Sequence, residues 1–240
     1  MNDLNTLAAQ HHVWIVETDV SKADFSLLQG ILSPEERDRA DRFRFKKDQT
    51  VYTVVHGALR LLLEHYLSQP ASTFRFTLNP FGKPSLHEGG MEFNLSHSGK
   101  IGLCSFSVDS PVGVDAELKR DDVNIEELAQ QYFSPAEVDA LLETPKKNRL
   151  DAFYRCWTRK EAFVKAHGEG LSIPLDSFSV PLNSDEPETV ESGLMIDQCT
   201  VHPIDIGIQG YESALAYFGK IKAVAVLSWN CWFEERKKTH

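Results

Sequence analysis

The sequence predicts an α+β protein made of two halves that meet near residue 110, and three observations carry the prediction. An apolar stripe of Val51, Val54, Val55, Ala58, Leu62 and Tyr66 recurs at spacings of three and four across 46–67, as in a helix packed on a core. Short β-prone runs at 73–78, 91–95, 101–107 and 112–118 follow it, separated by glycines and prolines, which describes a small sheet. Helices and then strands return beyond residue 120, with no simple sequence repeat between the two passes. The 240 residues are 42% hydrophobic and 25% charged, with 14 Gly and 11 Pro, so the chain can bury a real core as one large or two small domains. That composition excludes wholesale disorder and fibrous repeats.

Taken in order, residues 14–16 are short and β-prone. Ser33-Pro34-Glu35-Glu36 then opens a polar helix to about residue 43, with a serine N-cap, proline at the first helical position and early acids. Pro70 is expected to stop the long helix. A second helical block begins near Asn124, restarts at Ser134-Pro135-Ala136-Glu137 with a capping-box pattern, and runs over 148–167 until Gly168 and Gly170 end it. Strand-like pieces return at 178–180, 213–218 and 221–229, while 183–192 is acidic and loop-like and 234–240 reads as a loose tail. The expected halves are residues 1–110 and 111–240.

Basic residues number 25 and acidic residues 35, a net charge of −10, which disfavours phosphate-backbone binding to DNA or RNA. An anionic ligand must find a local basic pocket. Cys104, Cys156, Cys199 and Cys231 are too far apart for a CxxC knuckle or a dense disulfide framework and read as buried thiols. The opening MNDLNTLAAQHH lacks a basic then apolar leader pattern, and the longest late apolar run is 223–227. The expectation is a cytoplasmic protein without membrane attachment.

Asp115 and Glu117, in Gly113-Val114-Asp115-Ala116-Glu117, lie two apart on a strand, so both carboxylates face one side. Either a cation sits between them, with magnesium or manganese suited to oxygen ligands, or they form a solvated sheet face. On the later helix Trp157, Glu161 and Lys165 fall at i, i+4 and i+8. An exposed Glu–Lys pair accounts for that stripe, but Phe153, Trp157 and Phe163 point to a partly buried helix. Phe93-Asn94-Leu95-Ser96-His97-Ser98-Gly99 ends a strand in a polar cluster where Ser96 and His97 can donate to a phosphate, or simply form a turn. Asn79-Pro80-Phe81-Gly82-Lys83-Pro84 is a stiff loop in which Gly82 allows close backbone approach and Lys83 supplies charge. Arg37, Arg39, Arg42, Arg44, Lys46 and Lys47 are interleaved with acids and read mostly as a solvated face.

These motifs in this order, NPFGKP, FNLSHSG, GVDAE and WTRKEAFVKAHGEGL, resemble those of the Sfp-type 4′-phosphopantetheinyl transferases, which convert apo carrier proteins to holo forms. The resemblance covers about residues 33–171. It implies a pseudo-twofold monomer of two similar α+β halves, with coenzyme A and a magnesium ion (manganese being possible) in the cleft between them. By matching motifs, Asp115, Glu117 and Glu161 are the expected metal ligands, Lys165 the partner of the pyrophosphate, and His97, beside Ser96, that of the 3′-phosphate. Gly82, Lys83 and Pro84 border the nucleotide, and Arg39 matches a basic phosphate-contacting position. Glu36 stands where the best-known members have lysine.

The implied reaction is attack by a carrier serine on the pantetheine-side phosphorus of coenzyme A, releasing 3′,5′-ADP. A cation and Lys165 suit the charge that accumulates there. Glu161, directly or through water, and a metal-bound water are equal candidates for the base. The implied acceptor is an acyl, peptidyl or aryl carrier domain, docked through local patches, since a charge of −10 gives no long-range attraction to an acidic partner. A metal-dependent nuclease is disfavoured by the missing positive surface, whereas a non-catalytic coenzyme A binding module would keep His97 and Lys83 but dispense with Glu161. A protein-interaction scaffold would need none of the motifs.

Overall fold

The computed structural model describes residues 3–190, 198–219 and 221–239. The elements are α1 (Asp3–Ala9), β1 (Gln10–Glu17), α2 (Lys22–Ile31), α3 (Pro34–Asp41) and α4 (Lys46–Leu67), followed by β2 (Phe76–Leu78), β3 (Pro84–Leu86), β4 (Glu92–Ser98) and β5 (Ile101–Ser107). Then come β6 (Val112–Leu118), α5 (Ile125–Tyr132), α6 (Pro135–Glu143), α7 (Arg149–His167), β7 (Glu188–Val190), β8 (Cys199–Pro203), β9 (Tyr211–Phe218), β10 (Ala223–Ser228) and α8 (Trp229–Thr239). The class is α+β, as expected, and one long helix lies against a four-stranded sheet twice over.

The first sheet has the order β10-β1-β5-β4 and buries α4 through Val54, Val55, Ala58 and Leu62. The second has the order β6-β9-β8-β7 and buries α7 through Phe153, Cys156, Phe163 and Ala166. A third apolar cluster, including Val13, Leu103, Val114, Leu215 and Tyr217, joins strands of both sheets. Strand β10 pairs in parallel with β1, with Val13 opposite Val226, so the end of the described chain returns to the first sheet.

Both serine-proline helix starts form as read. Ser33 and Ser134 each cap their helix, and Glu36 and Glu137 return the bond to the cap amide, satisfying two otherwise orphan donors at each start. Helix α4 ends at Ser68, in the left-handed region at φ 54°, two residues before the proline expected to stop it. The expected strand at 178–180 does not form, because its backbone is held by side chains. The Lys160 ammonium donates to the carbonyl oxygens of Leu175 (2.7 Å) and Phe178 (2.6 Å), and the Val180 amide donates to Glu137 (2.7 Å). Lys160 and Glu137 are themselves a buried pair at 2.7 Å, so each charge has its partner.

The acidic stretch at 183–192 contains strand β7, and its final residues Glu191 and Ser192 lie outside the described residues. The expected tail is helix α8 as far as it is described, His240 lying outside. Trp229 and Phe233, one turn apart, stack at 4.5 Å and are buried, while Arg236 and Lys237 pair with Glu64 and Asp24. Cys104, Cys156 and Cys199 are buried free thiols, but Cys231 is exposed. Among the described residues no helix is long and apolar enough to cross a membrane.

Candidate active site

The edges of the two sheets meet at β4 and β6, and side chains join them in place of a backbone ladder. Asn94, Ser96 and Ser98, alternate residues facing one way from β4, accept from the amides of Val114 (3.0 Å), Ala116 (3.3 Å) and Leu118 (3.0 Å) of β6. The two serines also donate to the intervening carboxylates, Ser96 to Asp115 at 2.8 Å and Ser98 to Glu117 at 2.7 Å. The polar cluster read from FNLSHSG is therefore a set of rungs that aims the acids.

Helix α7 brings Glu161 and Lys165 against the same strand. That approach requires Gly113, since a Cβ there would strike the Ala162 carbonyl oxygen and the Ala166 amide and lie 2.8 Å from the Lys165 carbonyl carbon. Lys165 does not form the surface pair with Glu161 that helical spacing allows. Its ammonium donates to Asp115 (2.7 Å), Ser96 (3.0 Å) and the Val114 carbonyl (3.2 Å). Asp115, Glu117, Glu161 and Lys165 line one cleft of about 400 Å³, together with Ser96, His97 and Trp157.

The three expected metal ligands thus share a cleft, but among the described residues no group of three or more His, Cys, Asp or Glu side chains stands at metal-ligand spacing. The Lys165 ammonium is the countercharge at Asp115 instead. The donor set nevertheless has room for a cation, since the second Asp115 oxygen, Oδ2, is buried and has no hydrogen-bond partner. Burial, and then the Asp115 charge, pushes the Glu161 carboxyl above its ordinary range. Burial likewise raises Glu117, partly offset by the Ser98 hydroxyl, and Asp115 adds to the rise. A hard divalent cation relieves this kind of crowding among oxygens.

Leu95 and His97 are shared with a second, deeper pocket of about 540 Å³, walled by α3, α4 and the β2–β3 hairpin. Arg39, Arg60, Arg75 and His56 supply its basic groups, Glu35 and Glu36 its acidic ones, and Gly82 and Pro84 lie at its border. Desolvation, then the neighbouring charge of Lys165, lowers the pKa of His97. Lys83 is not brought to this pocket. Its ammonium donates to the carbonyls of Val112 (3.1 Å) and Ala166 (3.0 Å), and burial lowers its pKa to about 8. Asn79 donates to the Gly168 carbonyl at 2.7 Å, so the NPFGKP loop clasps α7 and β6 from the first half.

Glu36, the departure noted in the sequence, does not confront the pocket as a free acid. Burial favours its protonated form, but the nearby His56 ring, the hydrogen bond and charge of Arg60 and the Ser33 amide outweigh this and lower its pKa. Sequence reasoning missed the Asn94 and Ser98 rungs, the clasp and the Tyr52–His56 wall. The alternation Asn-x-Ser-x-Ser was a visible signal for the rungs, while the others depend on contacts far apart in the chain.

A family model described as the 4′-phosphopantetheinyl transferase superfamily matches residues 111–215, and one described as 4′-phosphopantetheinyl transferase, N-terminal, matches residues 18–106. The chain is 32% identical to 4′-phosphopantetheinyl transferase HetI of Nostoc sp. (strain PCC 7120 / SAG 25.82 / UTEX 2576), over 79% of this chain and 81% of the relative. It is 31% identical to 4′-phosphopantetheinyl transferase Sfp of Bacillus subtilis (strain 168), over 83% and 88% respectively. With L-aminoadipate-semialdehyde dehydrogenase-phosphopantetheinyl transferase of Xenopus laevis it shares 30% identity, over 72% of this chain and 60% of that one.

Proposed function

The chain belongs to the 4′-phosphopantetheinyl transferase superfamily, and we propose that the cleft between its sheets is where coenzyme A gives up its 4′-phosphopantetheine to a serine of an apo acyl, peptidyl or aryl carrier protein. The observation that supports this most is the continuity of two sites. A pocket large enough for a nucleotide, lined by Arg39, Arg75 and His56 with Glu35 and Glu36 also in its wall, shares Leu95 and His97 with a cleft holding three acids and a lysine.

In this reading the 3′-phosphoadenosine end occupies the deeper pocket, between Arg39 and His97 and against Gly82 and Pro84. The pyrophosphate then reaches Lys165, which Asp115 and Ser96 hold in place without a change of rotamer. The carrier serine oxygen attacks the pantetheine-side phosphorus, a new P–O bond forms, and the bond to the 3′,5′-ADP leaving group breaks. The serine proton passes to the Glu161 carboxylate, whose raised pKa makes it a better base than an exposed acid. Asp115, through its unpartnered Oδ2, with Glu117 and Glu161, would hold a divalent cation, magnesium or manganese. When bound there, such an ion would offset the charge that develops on the bridging and leaving oxygens. Lys165 meets the same charge from the helix side. Lys83 holds the two halves in register and makes no ligand contact, and the protein is proposed to act as a monomer.

The test is incubation of the protein with coenzyme A, magnesium and an apo carrier protein, followed by mass spectrometry of the carrier. The expected result is a carrier heavier by one phosphopantetheine. An unmodified carrier, in the presence of demonstrated coenzyme A binding, would sink the assignment of this cleft.

A further inference from the structure

The wall of the deeper pocket contains an ordered stack that contact with the ligand alone does not explain. Helix α3 presents Glu36 and Arg39, three residues apart, and α4 answers with Tyr52, His56 and Arg60 at i, i+4 and i+8. At one end of the stack Glu36 is anchored through one of its two oxygens, and the other, Oε1, is buried without a hydrogen-bond partner. Its Oε2 accepts from Arg60 at 2.7 Å and from the Ser33 amide at 2.8 Å, and His56 Nδ1 lies 3.6 Å from Oε1. Arg60 is 1% exposed and donates also to the carbonyls of Ala71 and Phe74, so it cannot swing toward a ligand. His56 stacks on Tyr52 with centroids 3.9 Å apart and planes inclined by 26°. Arg39 lies over the same ring, 5.6 Å from its centroid.

Tyr52 is 4% exposed, so its ring has nowhere to turn. The Arg39 side chain is exposed, and no hydrogen bond or ion pair of its guanidinium is found among the described residues. A long side chain in that position loses rotamer freedom when it grips an anion, unless something already holds it. We propose that Tyr52, backed by His56 and Glu36, is a positioning residue that holds the Arg39 guanidinium ready for the phosphate monoester of coenzyme A and so sets the preference for coenzyme A over dephospho-coenzyme A. This rests on the placement of the 3′-phosphoadenosine end given above. It also explains how an acid at position 36 is compatible with an anionic ligand, since Glu36 anchors the stack and does not face the phosphate.

The measurement is equilibrium binding of coenzyme A and of dephospho-coenzyme A, by titration calorimetry, to the parent protein and to Tyr52→Leu, Tyr52→Phe and Arg39→Ala. Cation–π contacts at exposed sites correspond to about two- to fivefold in affinity, so Tyr52→Leu should narrow the ratio of the two affinities by about that factor. Tyr52→Phe, which keeps the ring, should restore the ratio. In the Arg39→Ala background the Tyr52→Leu change should have no further effect on it. Equal weakening of both ligands, or a ratio unmoved by Tyr52→Leu, overturns the proposal. If Tyr52→Leu fails to fold, Tyr52→Met, which fills the same space without an aromatic face, is read by the same ratio and the same criteria. A parent protein that prefers coenzyme A in this assay but transfers nothing to a carrier would refute the transferase assignment of the cleft and leave the stack in place.

Discussion

Lys165 sends its charge to Asp115, Ser96 and a main-chain carbonyl, all on β4 and β6, where a surface helix pair would have sent it to Glu161. An exposed pair of that kind contributes only about 0.3–0.5 kcal/mol, so its loss would leave turnover essentially as it was. A preorganised ammonium facing a pyrophosphate is worth on the order of 3 kcal/mol, or about a hundredfold in rate. Lys165→Ala should therefore lower kcat about a hundredfold and coenzyme A affinity much less, with Lys165→Arg a partial rescue. Single-turnover transfer at saturating coenzyme A decides it, and a rate within about twofold of the parent would return Lys165 to a surface role. Glu161 carries a second expectation, this time in stability. Burial first and Asp115 second raise its pKa above the ordinary 4.5, so the folded chain retains a proton that the unfolded chain has released. Stability must then fall as pH rises from 4.5 through the raised value. Glu161→Gln abolishes that fall. In chelator, its melting temperature should exceed the parent's at neutral pH, and the difference should close below pH 4.5. A difference of the same size at both pH values would show that ionisation is not its source.

At the level of elements, the long helices and strands β5 and β6 were legible because local rules decide them, whereas β4 runs on through Ser98, past the end expected at residue 95, because Ser96 and Ser98 bond to β6. Helix α4 spans the stretch its apolar stripe marks, Lys46–Leu67, and strands β5 and β6 fall where alternation and flanking turns place them. The strand expected at 178–180 fails because side chains satisfy its backbone groups from a distance. Phe178 and Val180 are as buried and β-prone as strand residues, yet Lys160 and Glu137 take their hydrogen bonds. Helix α8 was missed because Trp229 and Phe233 were split between a strand and a tail, which hid their one-turn spacing. Within the site, the paired carboxylates were visible from period two alone. The true partner of Lys165 was not, since β6 and α7 are brought together only by the tertiary fold. The contact between those two elements depends on the missing side chain of Gly113. Gly113→Ala drives a methyl into the α7 backbone, where no flexible atom can yield. The cost should be at least the 1–3 kcal/mol typical of overpacking, seen as a lower urea midpoint with an unchanged slope. Transfer activity should drop with it, because Lys165 rides on the displaced turn. A variant with parent stability and parent rate would mean that the helix stands farther off than described.

For the whole molecule, the site exists only where two sheets, each with its own long helix, are held edge to edge. Lys83 is one of the holding groups, reaching from the first half to carbonyls of β6 and α7. Replacing it with Met should cost on the order of 1–3 kcal/mol, the range for hydrogen bonds from a charged donor. The pH trend has a definite sign. Its pKa is lowered to about 8 from 10.5, so between those values the unfolded chain binds the extra proton and the parent gains stability as pH rises. The gap between parent and Lys83→Met in urea titrations should therefore widen from pH 8 to 10, and a narrowing gap would contradict the burial of this ammonium. The return of β10 to β1 also bears on the order in which the chain is made. A ribosome adds about 5–20 residues per second, so β1 waits on the order of ten seconds or more for its parallel neighbour, with one edge open. Every strand of the second sheet is synthesised before β10 and α8, so the sheet that starts first is completed last.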